Sequence, residues 1–159
     1  VKRTLPIAIA VLFLLGSCGG EGDFSRPSPT ASPTFRQGTA IIDTDSGAVM
    51  VRIEVADSPP LQQRGLMGRR SLRDNAGMLF LFFQDTQAGF WMKDTLIPLS
   101  IAFFDRGGEI LKILDMEPCE VAMCPSYQPG VSYRGALEVN QGAFDAWGVE
   151  TGDTIRVSP

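Results

Sequence analysis

Histidine is missing from all 159 residues of this chain. Its absence removes the commonest general base and the commonest metal ligand together. A Ser-His-Asp hydrolase, a Cys-His protease and a His-ligated zinc site are thereby excluded. Positive charge is scarce too. Lys2, Arg3, Arg26 and Arg36 lie before residue 39, as do Glu21 and Asp23, so residues 39–159 carry ten basic and sixteen acidic side chains, a net of −6. Without a basic stripe to neutralise phosphates, nucleic acid is not an expected partner, and adhesion to anionic lipid heads is disfavoured. Long apolar runs are also lacking. The run Ile7 to Leu15 is nine residues, which as a helix covers about 14 Å against about 30 Å of hydrocarbon, so a membrane-spanning anchor is not expected there. Cysteine is limited to three residues. There is no internal repeat, and no cofactor or metal is expected.

What the first residues do contain is a pattern. Lys2 and Arg3 precede the apolar run, and Leu15-Gly16-Ser17-Cys18 follows it. A basic start, an apolar stretch and small residues before a cleavage point make a secretory signal. A cysteine immediately after Leu-Gly-Ser resembles the lipobox of bacterial lipoproteins. The expectation is a signal segment over residues 1–17 and a mature chain that begins at a lipid-modified Cys18. Acylation also removes the difficulty of a third, unpaired thiol in an oxidising compartment, and several acyl chains at about 0.8 kcal/mol per buried methylene anchor stably. The expected location is the bacterial cell envelope, outside the cytoplasm, with the membrane contacted through the lipid.

Residues 18–38 are read as the lipidated cysteine and a Pro/Ser/Thr/Gly tether with almost nothing to bury, hence disordered. Twenty such residues reach roughly 25 Å as a coil and about 60 Å as polyproline. Residues 39–159 hold nearly all the aromatics and are enough for one core. Thr39 to Asp43 and Val49 to Val55 flank the turn Asp45-Ser46-Gly47, and Val49, Val51, Ile53 and Val55 alternate with polar residues, as a half-buried strand requires. Ser58-Pro59 marks a helix start and Gly65 its stop. Further strands are expected at Met78 to Phe83, Phe90 to Lys93, Ser100 to Phe104, Glu109 to Leu114, Ala136 to Val139 and Thr154 to Val157. Asp105 to Gly108 makes a turn, Gln141 to Trp147 a single helix, and Pro98 an irregular segment. The predicted fold is mainly β (β-rich α+β), a single β-sandwich or partly closed barrel with one or two short helices.

Several of these segments together resemble one family. They are Arg64-Gly65-Leu66-Met67, Gly77-Met78-Leu79-Phe80, the block from Phe90-Trp91-Met92-Lys93-Asp94-Thr95 to Leu99, Ile101-Ala102-Phe103, Leu137 to Gly142, and Gly152-Asp153. In this order they resemble the domain of unknown function 192. The resemblance implies a compact β-rich fold and frequent export, and no established activity. Two positions depart from it. Ser100 stands where the family often has aspartate, which weakens any acid–base role nearby, and Asp94 stands where asparagine is frequent.

Three constellations are candidates for chemistry. Cys119 and Cys124, bracketed by Pro118 and Pro125, are expected to form a disulfide, worth about 2 kcal/mol on a chain-entropy basis. Redox activity is disfavoured because Glu117 and Glu120 would raise a thiol pKa. Met116, Cys119, Met123 and Cys124 form a sulfur-rich stretch of the soft kind that suits Cu(I), although a disulfide would leave only the two thioethers. The plainer reading is that Met67, Met78, Met92 and Met116 fill core gaps. Finally, Trp91, Lys93, Thr95, Glu138 and Asn140 offer an aromatic wall, an ammonium, a hydroxyl, a carboxylate and an amide, the groups of a site for a small polar ligand. The rival reading is a structural Lys93–Glu138 ion pair packed on the indole. An acid–base pair of Glu138 with Asp94 is a further alternative. Arg64, Arg69, Arg70 and Arg73 make a basic run that is either a solvated face or a seat for an anion.

The expectation from sequence is a lipid-anchored, monomeric, non-catalytic ligand-binding or envelope-accessory module, with an acid–base enzyme centred on Glu138 or a Cu(I)-handling protein as alternatives. The anchor is directly testable. Cys18→Ser should leave the chain unprocessed or release it into the soluble fraction, followed by fractionation and N-terminal mass mapping. Normal processing and membrane retention of that variant would show that Cys18 is not the anchor.

Overall fold

Alternating apolar residues on neighbouring strands need a common surface to cover, and the computed structural model, which describes residues 34–158, supplies one large sheet. The expected signal segment, Cys18 and most of the expected tether lie outside the described residues. Among the described residues the strands are β1 (Arg36–Thr44), β2 (Gly47–Ala56), β3 (Ala76–Thr86), β4 (Phe90–Trp91), β5 (Leu99–Phe104), β6 (Ile110–Met116), β7 (Ser126–Tyr127), β8 (Tyr133–Asn140) and β9 (Thr154–Ser158). Two short helices, α1 (Pro59–Arg64) and α2 (Ala143–Trp147), complete the set.

Seven strands form a sheet in the order β6-β5-β8-β3-β2-β1-β9, and β4 pairs with β7 in a small second sheet. Only β2 and β3 are parallel neighbours. The expected hairpin is present, with Thr44 opposite Gly47 across its turn. β1 starts at Arg36 rather than residue 39, because β2 runs to Ala56 and its last residues find partners in Arg36, Gln37 and Gly38. The sheet curls until its two edge strands approach. They meet through one bridge, Glu109 to Thr154, with N–H donation from Ile155 to Gly108 O and from Ile110 to Asp153 O, both 2.8 Å. Gly108, at φ +92°, is where a Cβ would run into the Ile155 carbonyl oxygen, so the glycine permits the edges to touch. The architecture is therefore β-rich with a curled mixed sheet, and the barrel is not closed.

Each face of the sheet carries its own core. Ile42, Val51, Ile53, Leu79, Leu137 and Val139 point into the curl, where Phe144 of α2 and Val149 close over them. Met78, Phe80, Leu99, Ile101, Phe103 and Ala136 point outward and are covered by Leu61 and Leu66 of the α1 region, Met92, Ile97 and Cys119. Hence all six residues of β5 are buried, although sheets of largely antiparallel strands commonly leave one face wet. Met78, Met92 and Met116 are all within this outer core, filling space as their flexible side chains allow.

Two expected elements are shorter than read from sequence. The strand at Phe90 ends at Trp91, because its partner β7 offers only Ser126 and Tyr127 to pair with, and the chain turns at Asp94, whose φ is +55°. The last helix begins at Ala143, because Gly142 is itself left-handed at φ +77°.

The close approach of β3 to β8 is a test of this packing. A Cβ on Gly77 would lie 2.5 Å from the Glu138 carbonyl oxygen and 3.1 Å from Val139 Cγ1. Neither partner can yield without spreading the two strands. Gly77→Ala should therefore lower stability by about 1–3 kcal/mol, the usual cost of overpacking, read as a shifted urea midpoint. An unshifted midpoint would mean that the strands separate there at little cost.

Candidate functional site

The central row of the sheet's outer face reads Glu54, Met78, Glu138 and Ile101 across β2, β3, β8 and β5. Two carboxylates thus stand on one face, separated by a methionine. Glu54, nearer the edge, is held by a fork of two hydrogen bonds from Arg69. Glu138 is 5% exposed and takes part in no ion pair among the described residues. No wholly enclosed side-chain oxygen in the described residues lacks a partner. The Glu138 carboxyl therefore looks into a space, and that space is a cavity of about 160 Å³ above β3 and β8.

Aromatic side chains make most of its wall. Phe80 and Phe82 rise from β3, Phe90 and Trp91 come from β4, and Tyr133 comes from β8. Phe80 meets Phe90 edge-on at 5.0 Å between centroids, and Phe82 meets Tyr133 likewise at 5.5 Å. Met67, Leu66 and Gly65, just after α1, form the opposite wall, with Gln62 and Arg64 at its α1 end. Thr95 lies on the lining and is itself buried. Trp91 is the exposed member, 54% accessible.

The wall segments are irregular, so their backbone groups find partners elsewhere, as buried polar groups must. Gly68 donates its N–H to the Asp94 carbonyl at 2.8 Å, tying the 65–68 segment to the 91–95 segment. The Tyr133 hydroxyl donates to Ala88 O at 2.6 Å, and Gln62 Nε2 to Leu81 O at 2.7 Å. The disulfide Cys119–Cys124 braces the same region, with an S–S distance of 2.10 Å. The Cys119 carbonyl accepts from Asp94 N–H at 2.9 Å, and Cys119 bridges to Lys93 and Thr95.

Of the five residues expected to converge, Trp91, Thr95 and Glu138 line this cavity. Lys93 does not. Its ammonium donates to Asp94 Oδ1 at 2.8 Å, so the Lys93–Glu138 pair considered from sequence is replaced by a neighbouring pair at the surface. β4 ends at Trp91, so strand parity no longer sets the direction of Lys93, and the chain turns at the next residue, Asp94, whose φ is +55°. Asparagine and aspartate tolerate that conformation best among non-glycine residues, which accounts for the asparagine frequent at this position in the resembled family. Asn140 shares a strand face with Glu138 but donates its amide to Leu72 O at 3.1 Å, pinning the covering segment instead of lining the cavity. Phe80, Phe82, Phe90, Tyr133 and Met67 were not expected at the site. In sequence they are indistinguishable from core.

The other candidates separate. Ser100 is on the inward parity of β5 and bonds Asp115 Oδ1 at 2.5 Å and the Gly142 N–H at 2.9 Å, far in function from the Glu138 face. The arginines do not make one patch: Arg69 serves Glu54, and the Arg64 guanidinium sits 5.8 Å from the Phe35 ring centroid. Met116 is fully buried and Met123 is 89% exposed, so they do not converge with the oxidised sulfurs. Among the described residues no three His, Cys, Asp or Glu side chains gather as a metal site.

Burial pushes the Glu138 pKa up from near 4.5 to about 8, because a carboxylate loses its hydration there and receives no counter-charge. Burial also pushes Tyr133 to about 12, leaving its phenol a fixed donor. At neutral pH the cavity thus ends in a carboxylic acid, able both to donate and to accept.

A β-rich domain with one aromatic-walled pocket and one buried acid is the class of protein this geometry defines. The chain belongs to the domain of unknown function 192 family, described as uncharacterized ACR, whose model matches residues 40–157. Solved structures resemble this chain, among them the following two. One, from Sinorhizobium meliloti 1021, is described as a candidate transcription regulator; it is 28% identical, with a TM-score of 0.73 over 79% of this chain and 96% of that one. Another, from Novosphingobium aromaticivorans DSM 12444, is described as a protein of unknown function; it is 27% identical, with a TM-score of 0.73 over 84% of this chain and 94% of that one. No curated protein matches.

The unusual acid makes a prediction about stability. Below about pH 4.5 Glu138 is protonated in the folded and unfolded chain alike. From there to about pH 8 the unfolded chain gives up the proton and the folded chain keeps it. Stability should therefore fall as pH rises through that window, by up to about 1.4 kcal/mol per pH unit, and level off above it. Glu138→Gln should remove this slope and exceed the parent in stability at pH 8. Urea unfolding at pH 5, 6, 7 and 8 measures both; parallel curves for the two proteins would show that Glu138 ionises as an ordinary carboxylate.

Proposed function

We propose that this chain is a ligand-binding module of the cell envelope, held to the membrane by lipid at Cys18 and taking a small molecule into the cavity that ends at Glu138. The observation that carries the reading is the buried Glu138 carboxyl, in no ion pair among the described residues, on an aromatic-walled cavity. An isolated buried acid is costly, and a structural role would be served better by an apolar residue of similar shape. Pockets with apolar walls and a few oriented polar groups are the usual form of small-molecule sites. The lipobox pattern and the Pro/Ser/Thr tether support the envelope setting.

Catalysis is less well supported by the same geometry. Acid–base work needs a second group at working distance. Asp94, the partner considered from sequence, is exposed and paired with Lys93, and the other titratable groups on the cavity are Arg64 and Tyr133. The disulfide likewise removes the thiolates that a Cu(I) site would use. The regulator description of the Sinorhizobium relative does not carry over as direct nucleic-acid binding, given sixteen acidic against ten basic residues over 39–159.

The chain's two tryptophans make a built-in assay. Trp91 lines the cavity, whereas Trp147 packs against the inner core. With both indoles fluorinated, small fragments that enter the cavity should shift the Trp91 signal and leave Trp147 in place. A chemically diverse fragment set that never moves Trp91 would remove the ligand-binding reading.

A further inference from the structure

We propose, resting on the ligand-binding reading above, that the cavity takes a small organic cation: a protonated amine with an apolar body, its ammonium set against Glu138. No ion pair among the described residues includes Glu138. Arg69 is bound to Glu54 and Lys93 to Asp94; Arg64, on the cavity lining, lies 5.8 Å from the Phe35 ring centroid and not in an ion pair with Glu138. Among the described residues the buried carboxyl thus has no counter-charge of its own, and one can arrive from outside. The rings of Phe80, Phe82, Phe90, Trp91 and Tyr133 line the cavity, and aromatic faces attract cations through their quadrupole. Thr95, buried on the lining, adds a hydroxyl acceptor for a second ammonium proton. An anion would meet the carboxyl and an acidic domain. A volume of about 160 Å³ suits a single ring or short chain.

The proton balance follows. The groups on the elements around Glu138 are Arg64 of α1, the Arg69–Glu54 and Lys93–Asp94 pairs, and Tyr133 on the same strand; none of them bonds its carboxyl. Because Glu138 is held neutral up to about pH 8, an ammonium that pairs with it displaces its proton to solvent. Binding should therefore release close to one proton per site below that pH. Affinity should rise by close to tenfold per pH unit across the same range, then level off.

The test uses the full chain in mild detergent, with benzylamine and its neutral counterpart benzyl alcohol as probes. Calorimetry at pH 6.5 in two buffers of different ionisation enthalpy counts protons, and fluorotryptophan signals report the place. The expected result is that benzylamine shifts Trp91, releases about one proton, and binds at least tenfold more tightly than the alcohol. Glu138→Gln should lose most of the amine's affinity and all proton release, while retaining the weak alcohol. Should that variant fold poorly, Trp91→Leu, altered at an exposed position, should weaken the amine by about twofold to fivefold. Equal binding of amine and alcohol without proton release would overturn the cation and leave a neutral-ligand site standing. Failure of every amine and every neutral fragment to move Trp91 would overturn both.

Discussion

The structure turns on three strands, β3, β5 and β8, that are covered on both faces. Double coverage leaves no solvated side on which a polar residue can rest, so each residue in the middle of the sheet must be apolar, paired or exceptional. Ile101 and Met78 are apolar, and Glu54 near the edge is paired with Arg69. Glu138 is the exception. The same constraint explains Gly77, because two strands packed from above and below have no room to part around a methyl group. It also explains why the cavity lies where it does. The inner face is filled by the curl of the sheet and by Phe144, which pack as regular elements do. The outer face is covered mainly by loops, which rarely interdigitate as fully, and the unfilled space remains above the one acid.

Loops can cover a core only when their backbone groups are satisfied, and here a handful of side chains does that work. Asn140, Tyr133 and Gln62 each donate a polar tip to a backbone carbonyl, of Leu72, Ala88 and Leu81. Tyr133, Gln62 and Ala88 line the cavity themselves. The result is a wall whose polar tips are tied to the backbone. Glu138 and Thr95 are thus presented to the cavity because their neighbours on the same strands and turns have been assigned to holding the walls. An arrangement of this kind sacrifices stability at neutral pH for a group that is ready to pair, a common feature of binding sites.

How far the sequence foretold this depends on which physical signal each residue emits. Val49 to Val55 announced its strand by alternation, Ser58-Pro59 its helix start, and Asp45-Ser46-Gly47 its turn; those signals are local, and the structure contains all three elements. Phe80, Phe82 and Tyr133 gave no sign of lining a cavity, because a wall and a core use the same residue types and differ only in what packs on the far side. Lys93 and Asn140 were grouped with Trp91 and Glu138 on strand parity. Parity fails for Lys93 because the regular strand ends at Trp91. It holds for Asn140, whose amide is nonetheless captured by Leu72, a partner 68 residues away in sequence. The two-residue β7 and the bridge between the sheet edges are likewise products of long-range contact that no short window of sequence contains.

The disulfide joins these themes. Closing the short loop between Cys119 and Cys124 contributes about 2 kcal/mol in the chain-entropy account, a modest gain for the domain as a whole. Its position matters more than its magnitude. Cys119 is the residue on which the Lys93–Asp94–Thr95 turn is hung, by one backbone hydrogen bond and two bridges. β4, which brings Phe90 and Trp91 to the cavity, is paired to β7, which starts directly after Pro125 and two residues after the second cysteine. The β4 part of the aromatic wall and the Thr95 hydroxyl are therefore braced by a covalent clasp, in addition to the outer core on which Phe80 and Tyr133 lie. Such a clasp persists in an oxidising compartment and is lost in a reducing one, so the braced wall suits the envelope setting proposed for this chain.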